Sequence, residues 1–402
     1  MSDQYSLKHF LRQAPNDLLA QYFENQRIKT DLDISDLKET KIEPLAELVE
    51  NLSDKQRKQV ESDFVSIFYL ANQAGYMALR QELGSSASKI DGLECLEAAF
   101  TCYLRFYKQF EAALIFQPYF DQDRYWRKVA GLPGTMPENP KQKIKQLEQA
   151  LSEHFQFEGR GRNCKVEYYN RDTRHFFFAF PEDYPARFVY WKDKQFEREV
   201  IHPALEVVFV YDDEAKSLDT HFRGDAKNAR KIDNIFGTTI LGKPVPAALY
   251  DKPIYDLNKL KSRRFKFIYG PKDKVERFLI RKLRLNPRYD RHTQVTVTTN
   301  VLGDLGQDAL FTQLDKLFAM SGNPQDRIPY DQLEVSAAEI SVDFKTETKR
   351  GYKRHRFNLS APNSCSLKHD GDDLIIRKIL KASGIEQEPE PVAEEKSSRQ
   401  AA

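Results

Sequence analysis

The stretch CKVEYYNRDTRHFFFAF, from Cys164 to Phe180, is where the hydrophobic period of the chain changes. In its first half Lys165, Glu167 and Tyr169 fall on one side of an extended strand, and Val166 and Tyr168 on the other. In its second half His175, Phe177 and Ala179 alternate with Phe176, Phe178 and Phe180. A strand that is aromatic on both sides needs cover on both sides. The phenylalanines therefore read as core, and Asn170-Arg171-Asp172 between the halves reads as a turn.

Upstream of this point the apolar spacing is helical. Ser53 precedes Gln56 by three residues, a helix-opening pattern, and Val60, Phe64, Ile67 and Phe68 then recur at helical intervals. Leu93 to Phe116 reads as a central buried helix, and Asn139-Pro140 as the start of another. Downstream, ARFVYWK, QFEREVI, LEVVFVYD and SLDTHF continue the period of two, with connections too short for parallel crossovers. DAKNARKIDNIFGTTILG then reads as a helix across one sheet face. RFKFIYG, TQVTVTTN, AAEISVDFKTET and KRHRFNLSAP read as strands, and KDKVERFLIRKL, QDALFTQLDKLFAM and DLIIRKILKASGI as helices, the last capped by Gly384.

The expected fold is α+β. A helical domain spans residues 1–155, an antiparallel sheet with a covering helix 156–245, and a mixed strand and helix region 246–384. An acidic tail, 385–402, is too poor in apolar residues to fold. Tyr125, Trp126 and Val129, beside Arg124, Arg127 and Lys128, read as the seam between helices and strands or as a partner-binding patch.

The net charge of +2 conceals an asymmetry. Between Leu257 and His292 thirteen Lys and Arg residues face three acids, and Lys345, Lys349, Arg350, Lys353, Arg354 and Arg356 form a second cluster. Clustered cations on one domain suit a polyanion, because each one near a phosphate releases condensed counterions. The candidate nucleic-acid contacts are Arg263, Arg264, Lys266, Arg281, Lys282, Arg284, Lys353, Arg354 and Arg356. Arg160 and Arg162 join them, in a Gly-Arg-Gly-Arg loop whose free amides can form an anion nest. A solvated basic face that meets an acidic partner subunit is the competing reading.

Catalytic signatures are sparse. No phosphate-binding loop, G-x-S-x-G elbow or dinucleotide fingerprint follows a strand, so no cofactor is implied. The four cysteines lack zinc spacing and a disulfide framework, which suits a reducing compartment, and Cys164 beside arginines reads as a filler more than a nucleophile. No run of about 18 apolar residues or secretory leader is present, so a cytoplasmic, non-membrane protein is expected. Glu214-Ala215-Lys216, after Asp212 and Asp213, and Glu347-Thr348-Lys349 have the local spacing of a metal-dependent nuclease, but turn residues are ordinarily charged. The leading expectation is a non-enzymatic accessory protein that binds DNA or RNA, of a kind suited to genome maintenance or phage defence, with its helical half docking a protein partner. A nuclease and a pure interaction subunit are the alternatives.

Overall fold

The computed structural model describes residues 4–38, 41–121, 125–171, 173–192, 195–290, 292–299, 308–319, 329–345 and 352–387. Residues 388–402 of the acidic tail and Glu347-Thr348-Lys349 lie outside them; the first residues of that tail are folded in, Ile385 being buried and Glu386 paired with Lys128. The chain forms two compact units, Met1–Asp123 and Arg124–Ala402. The fold is mixed α+β with a large antiparallel sheet. Among the described residues no helix is long and apolar enough to cross a membrane.

The first unit holds α1 (Leu7–Gln13), α2 (Asn16–Asn25), α3 (Glu43–Glu50), α4 (Asp54–Leu70), α5 (Gln73–Leu83), α6 (Cys95–Arg105) and α7 (Tyr107–Asp121). Ser53 caps α4 by accepting from the Gln56 amide, which turns Val60, Phe64 and Ile67 inward together. Phe64 stacks on Phe10 with centroids 4.4 Å apart, and Tyr22, Phe23 and Phe100 close round the pair. Each fully buried ring contributes about 1.5–3 kcal/mol. The Tyr22 hydroxyl donates to Asp63 at 2.7 Å, so the buried carboxylate is satisfied from within.

The second unit is built on one ten-stranded sheet, in the order β2-β3-β6-β7-β1-β12-β11-β10-β8-β9. Its strands are β1 (Trp126–Ala130), β2 (Cys164–Arg171), β3 (Arg174–Pro181), β6 (Val207–Asp212), β7 (Ser217–Phe222), β8 (Val275–Pro287), β9 (Val295–Thr298), β10 (Leu333–Lys345), β11 (Tyr352–Ser360) and β12 (Ser364–Cys365). The six strands read from 164–222 all form, but β4 (Ala186–Lys192) and β5 (Gln195–Ile201) pair only with each other, as a separate hairpin. Trp126 is buried inside β1, which pairs with β7 on one side and β12 on the other. The strands assigned to 156–245 and those assigned to 246–384 are thus halves of one sheet joined through β1. The helix α8 (Lys141–Phe157) also belongs to this unit.

The two faces of the sheet are covered differently. On the first face, α8 and α9 (Ala226–Phe236) bury Phe177, Phe209, Leu218 and Val129 of the β2–β1 half. On the second, α10 (Asp308–Ala319) and α11 (Gly371–Ala382) pack on Leu283, Ile340 and Phe357 of the other half. Phe176 and Phe178 point to the second face and are also buried, so the two-sided burial of HFFFAF is present. Gly384 takes φ +68 just beyond α11, the left-handed turn that glycine accommodates at a helix end.

Three segments differ from the sequence reading. Leu93–Phe116 is not one helix: the chain leaves helical geometry at Phe106, which separates α6 from α7. RFKFIYG is irregular rather than a strand. KDKVERFLIRKL is not a helix: from Val275 on it lies in β8, and two bulges, at Glu276 and Arg281, break the alternation and imitate helical spacing.

Candidate nucleic-acid interface

Register across β8, β10 and β11 decides where the basic side chains point. Asp343 is opposite Arg277 on β8 and Arg354 on β11, Glu339 opposite Lys282 and Asn358, Ser341 opposite Leu279 and Arg356, and Ala337 opposite Arg284 and Ser360. Residues directly opposite share a face. Arg277, Lys282, Arg284, Arg354 and Arg356 therefore lie on one face of three adjacent strands. Ser360 pairs with Ser364, and Arg127 with Ser364 and Thr220, so this is the face that α8 and α9 cover farther along the sheet.

Two carboxylates are set among these five cations. Asp343 is buried and accepts from Arg354 Nε at 2.6 Å, Arg354 Nη2 at 2.9 Å and Arg277 Nε at 2.8 Å. Burial pushes its pKa up, but the two arginines outweigh that and hold it below the ordinary value. Lys282 lies 3.6 Å from Glu339. Arg284 and Arg356 are exposed, and their partners across the strands are neutral: Ala337 and Thr296 for the first, Ser341 for the second. The exposed Tyr352 ring sits between Arg354, 4.9 Å away, and Arg277, at 5.7 Å. The strip thus offers unsatisfied guanidinium donors beside an aromatic platform.

The other basic residues go elsewhere. Lys353 alternates to the second face, where it meets Asp372 of α11 at 2.9 Å. There His355 meets Asp372 and Asp373; burial alone would lower its pKa, but the two acids raise it to about 9. Arg281 occupies a bulge and is buried. Arg263 pairs with Asp308 and Asp315 of α10. Arg264 and Lys266 are exposed, but in a segment whose Phe267 stacks on Phe278 at 4.2 Å, on the second face.

The Gly-Arg-Gly-Arg loop already holds an anion, and it is the chain's own. The amides of Arg162 and Asn163 donate to Glu182 Oε2 at 2.8 and 3.1 Å. A side chain at Gly161 would run into Glu182, whose atoms lie 2.3–2.5 Å from where its Cβ would be. Arg160 pairs with Asp183 and lies 4.6 Å over the Tyr184 ring. The loop is a clamp on residues 182–184.

Compared with known proteins, the chain matches no family model, and no curated protein matches it.

The nuclease spacing at Asp212–Lys216 is a turn. Asp212 Oδ1 accepts the amides of Glu214 and Ala215, Lys216 pairs with Asp213 at 2.9 Å, and Lys216 itself has φ +47. Among the described residues no group of three or more His, Cys, Asp or Glu side chains is placed to hold a metal ion. Burial, with Glu148 nearby, pushes the Cys164 thiol up to about 12, which leaves no thiolate at neutral pH.

Sequence reasoning missed one further constellation. Under α11 a cleft of about 470 Å³ is lined by Lys128, Arg174, Ser217, Asp219, Arg377 and Glu386, among others. Lys128 is bonded to Glu386, and Arg377 Nη1 lies 3.6 Å from Asp219. Arg377 also donates to the carbonyls of Leu367 and Lys368. Burial first, then Arg377, Lys128 and Arg174, drive His369 well below its ordinary pKa, so it is neutral. This network fastens α11 and the segment after it to β1 and β7. Its sequence signal was the basic Arg127-Lys128 pair, hidden because the strand carrying it was not recognised.

Proposed function

We propose that this protein is a non-enzymatic nucleic-acid-binding accessory protein that contacts phosphates through Arg277, Lys282, Arg284, Arg354 and Arg356. The observation that carries the reading is the register of β8, β10 and β11, which gathers five cations from two distant segments against two carboxylates. Strands roughly 4.8 Å apart with side chains repeating about every 6.6 Å suit the spacing of successive phosphates. Such contacts position a duplex or single strand without reading its sequence.

The test is fluorescence anisotropy with labelled single- and double-stranded oligonucleotides of about 20 nucleotides in about 50 mM salt. The wild-type protein binds, and R284E/R356E weakens binding more than about tenfold on every sequence tried. Lys266→Glu, on the other face, changes it less than about twofold. Absence of wild-type binding, or equal loss from Lys266→Glu, refutes the reading.

A further inference from the structure

The β4–β5 hairpin is the part of the chain that the fold does not use. The Leu205 amide donates to the Pro181 carbonyl, a bridge joins Glu182 to Ala204, and the Asp183 amide donates to the Pro203 carbonyl. The hairpin therefore continues the β3–β6 pair outward as an arm. Its strands, seven residues each, reach about 23 Å beyond the sheet at the rise of an extended chain. The Gly161 loop clamps its base through Glu182, Asp183 and Tyr184.

The two sides of this arm differ in chemistry. Trp191 pairs with Phe196, Val189 with Arg198, and Arg187 with Val200, so these six share one side. All six are exposed, Trp191 by 72%. Arg198 lies 4.9 Å over the Phe196 ring. The other side carries Phe188 and Tyr190 together with Glu197 and Glu199, the last accepting from the Tyr190 hydroxyl, so the sides differ in charge rather than in aromatic content. Among the described residues the Trp191 side thus has two arginines and no acid.

That asymmetry selects the occupant. A two-fold dimer through the Trp191 side would bring four arginines together with no carboxylate among the described residues to meet them. Unpaired bases need flat apolar rings, and their phosphates need cations, which is what this side presents. We infer that the β4–β5 arm grips single-stranded nucleic acid, with Trp191 and Phe196 stacking on bases and Arg187 and Arg198 meeting the flanking phosphates. The inference rests on the nucleic-acid reading above and assigns it a second, base-stacking element.

The chain has two tryptophans, and Trp126 is buried, so emission changes on ligand addition report Trp191. Adding a single-stranded oligonucleotide of about 20 nucleotides to the full chain quenches that emission, and a blunt duplex of equal length does so far less. W191A/F196A weakens single-strand binding at least about tenfold, and R187E/R198E, which keeps the rings, does likewise. Retention of Trp126 emission shows that the variants are folded. If wild-type protein binds while Trp191 emission is unchanged and both variants bind normally, the arm proposal is overturned and the strip reading survives. If W191A/F196A instead turns a dimer into a monomer without weakening single-strand binding, the arm's partner is a second copy and the proposal is overturned. If wild-type protein binds no oligonucleotide, both fall.

Discussion

Replacing Asp343 by Asn separates the structural role of the strip from its electrostatic one. The carboxylate takes three hydrogen bonds from Arg277 and Arg354. An amide keeps the shape but has one acceptor oxygen, and its own N–H faces an arginine donor. Charge-assisted bonds are worth about 1.5–3 kcal/mol each. The Arg277 side chain is 41% exposed and the Arg354 side chain 20%, so water recovers part of the loss, and about 2 kcal/mol of destabilisation is expected. Because the folded pKa of Asp343 is lowered, its contribution is present above the unfolded value and disappears as pH falls through the folded one. Urea denaturation at pH 7 measures the difference, and the gap between wild type and D343N closes toward acid pH. The same change removes one negative charge from the strip, leaving it one unit more positive. At roughly 10 Å in water this is worth about 0.4 kcal/mol, or about twofold tighter oligonucleotide binding. A variant that is less stable yet binds more tightly fits this reasoning. Unchanged stability, or weaker binding by folded D343N, refutes it.

Gly161→Ala drives a methyl into Glu182 and should loosen the clamp, which limited proteolysis detects as faster cleavage at residues 182–204. His355 is raised to about 9, so its contribution to stability is complete below its unfolded pKa near 6.5 and is lost as pH rises through about 9. Thermal unfolding between pH 6 and 10 should show that loss in wild type and not in D372N/D373N, though the latter is less stable throughout. Lys128→Met strands the Glu386 carboxylate in a buried site and should cost about 3–5 kcal/mol in urea unfolding, most of it restored in K128M/E386L.

The sequence reveals period, and period reveals most of the sheet. HFFFAF was readable as a two-sided buried strand because nothing interrupts its alternation. β8 was not, because the extra residues at Glu276 and Arg281 put Val275, Phe278, Leu279 and Leu283 at helical intervals. That one misreading also hid the strip. A helix would have stacked Arg277, Arg281 and Arg284 on one side and turned Lys282 away, whereas the bulged strand buries Arg281 and turns Arg277, Lys282 and Arg284 to the side of Arg354 and Arg356. β1 escaped notice because five residues with three cationic neighbours do not look like the middle of a sheet. Its partners β7 and β12 are far away in the chain, and such pairing leaves no local signal. The Gly-Arg-Gly-Arg loop was legible as an anion nest, but that the anion is Glu182 follows only from the fold. The arm looked like two more sheet strands, since exposure is not written in alternation.

The most direct test of the phosphate-binding claim is the dependence of oligonucleotide affinity on salt. If the five strip cations each meet a phosphate, log K falls against log salt with a slope of about −4.5 on duplex, and R284A/R356A brings it to about −2.7. A wild-type slope near zero, or one that the double variant leaves unchanged, contradicts the account.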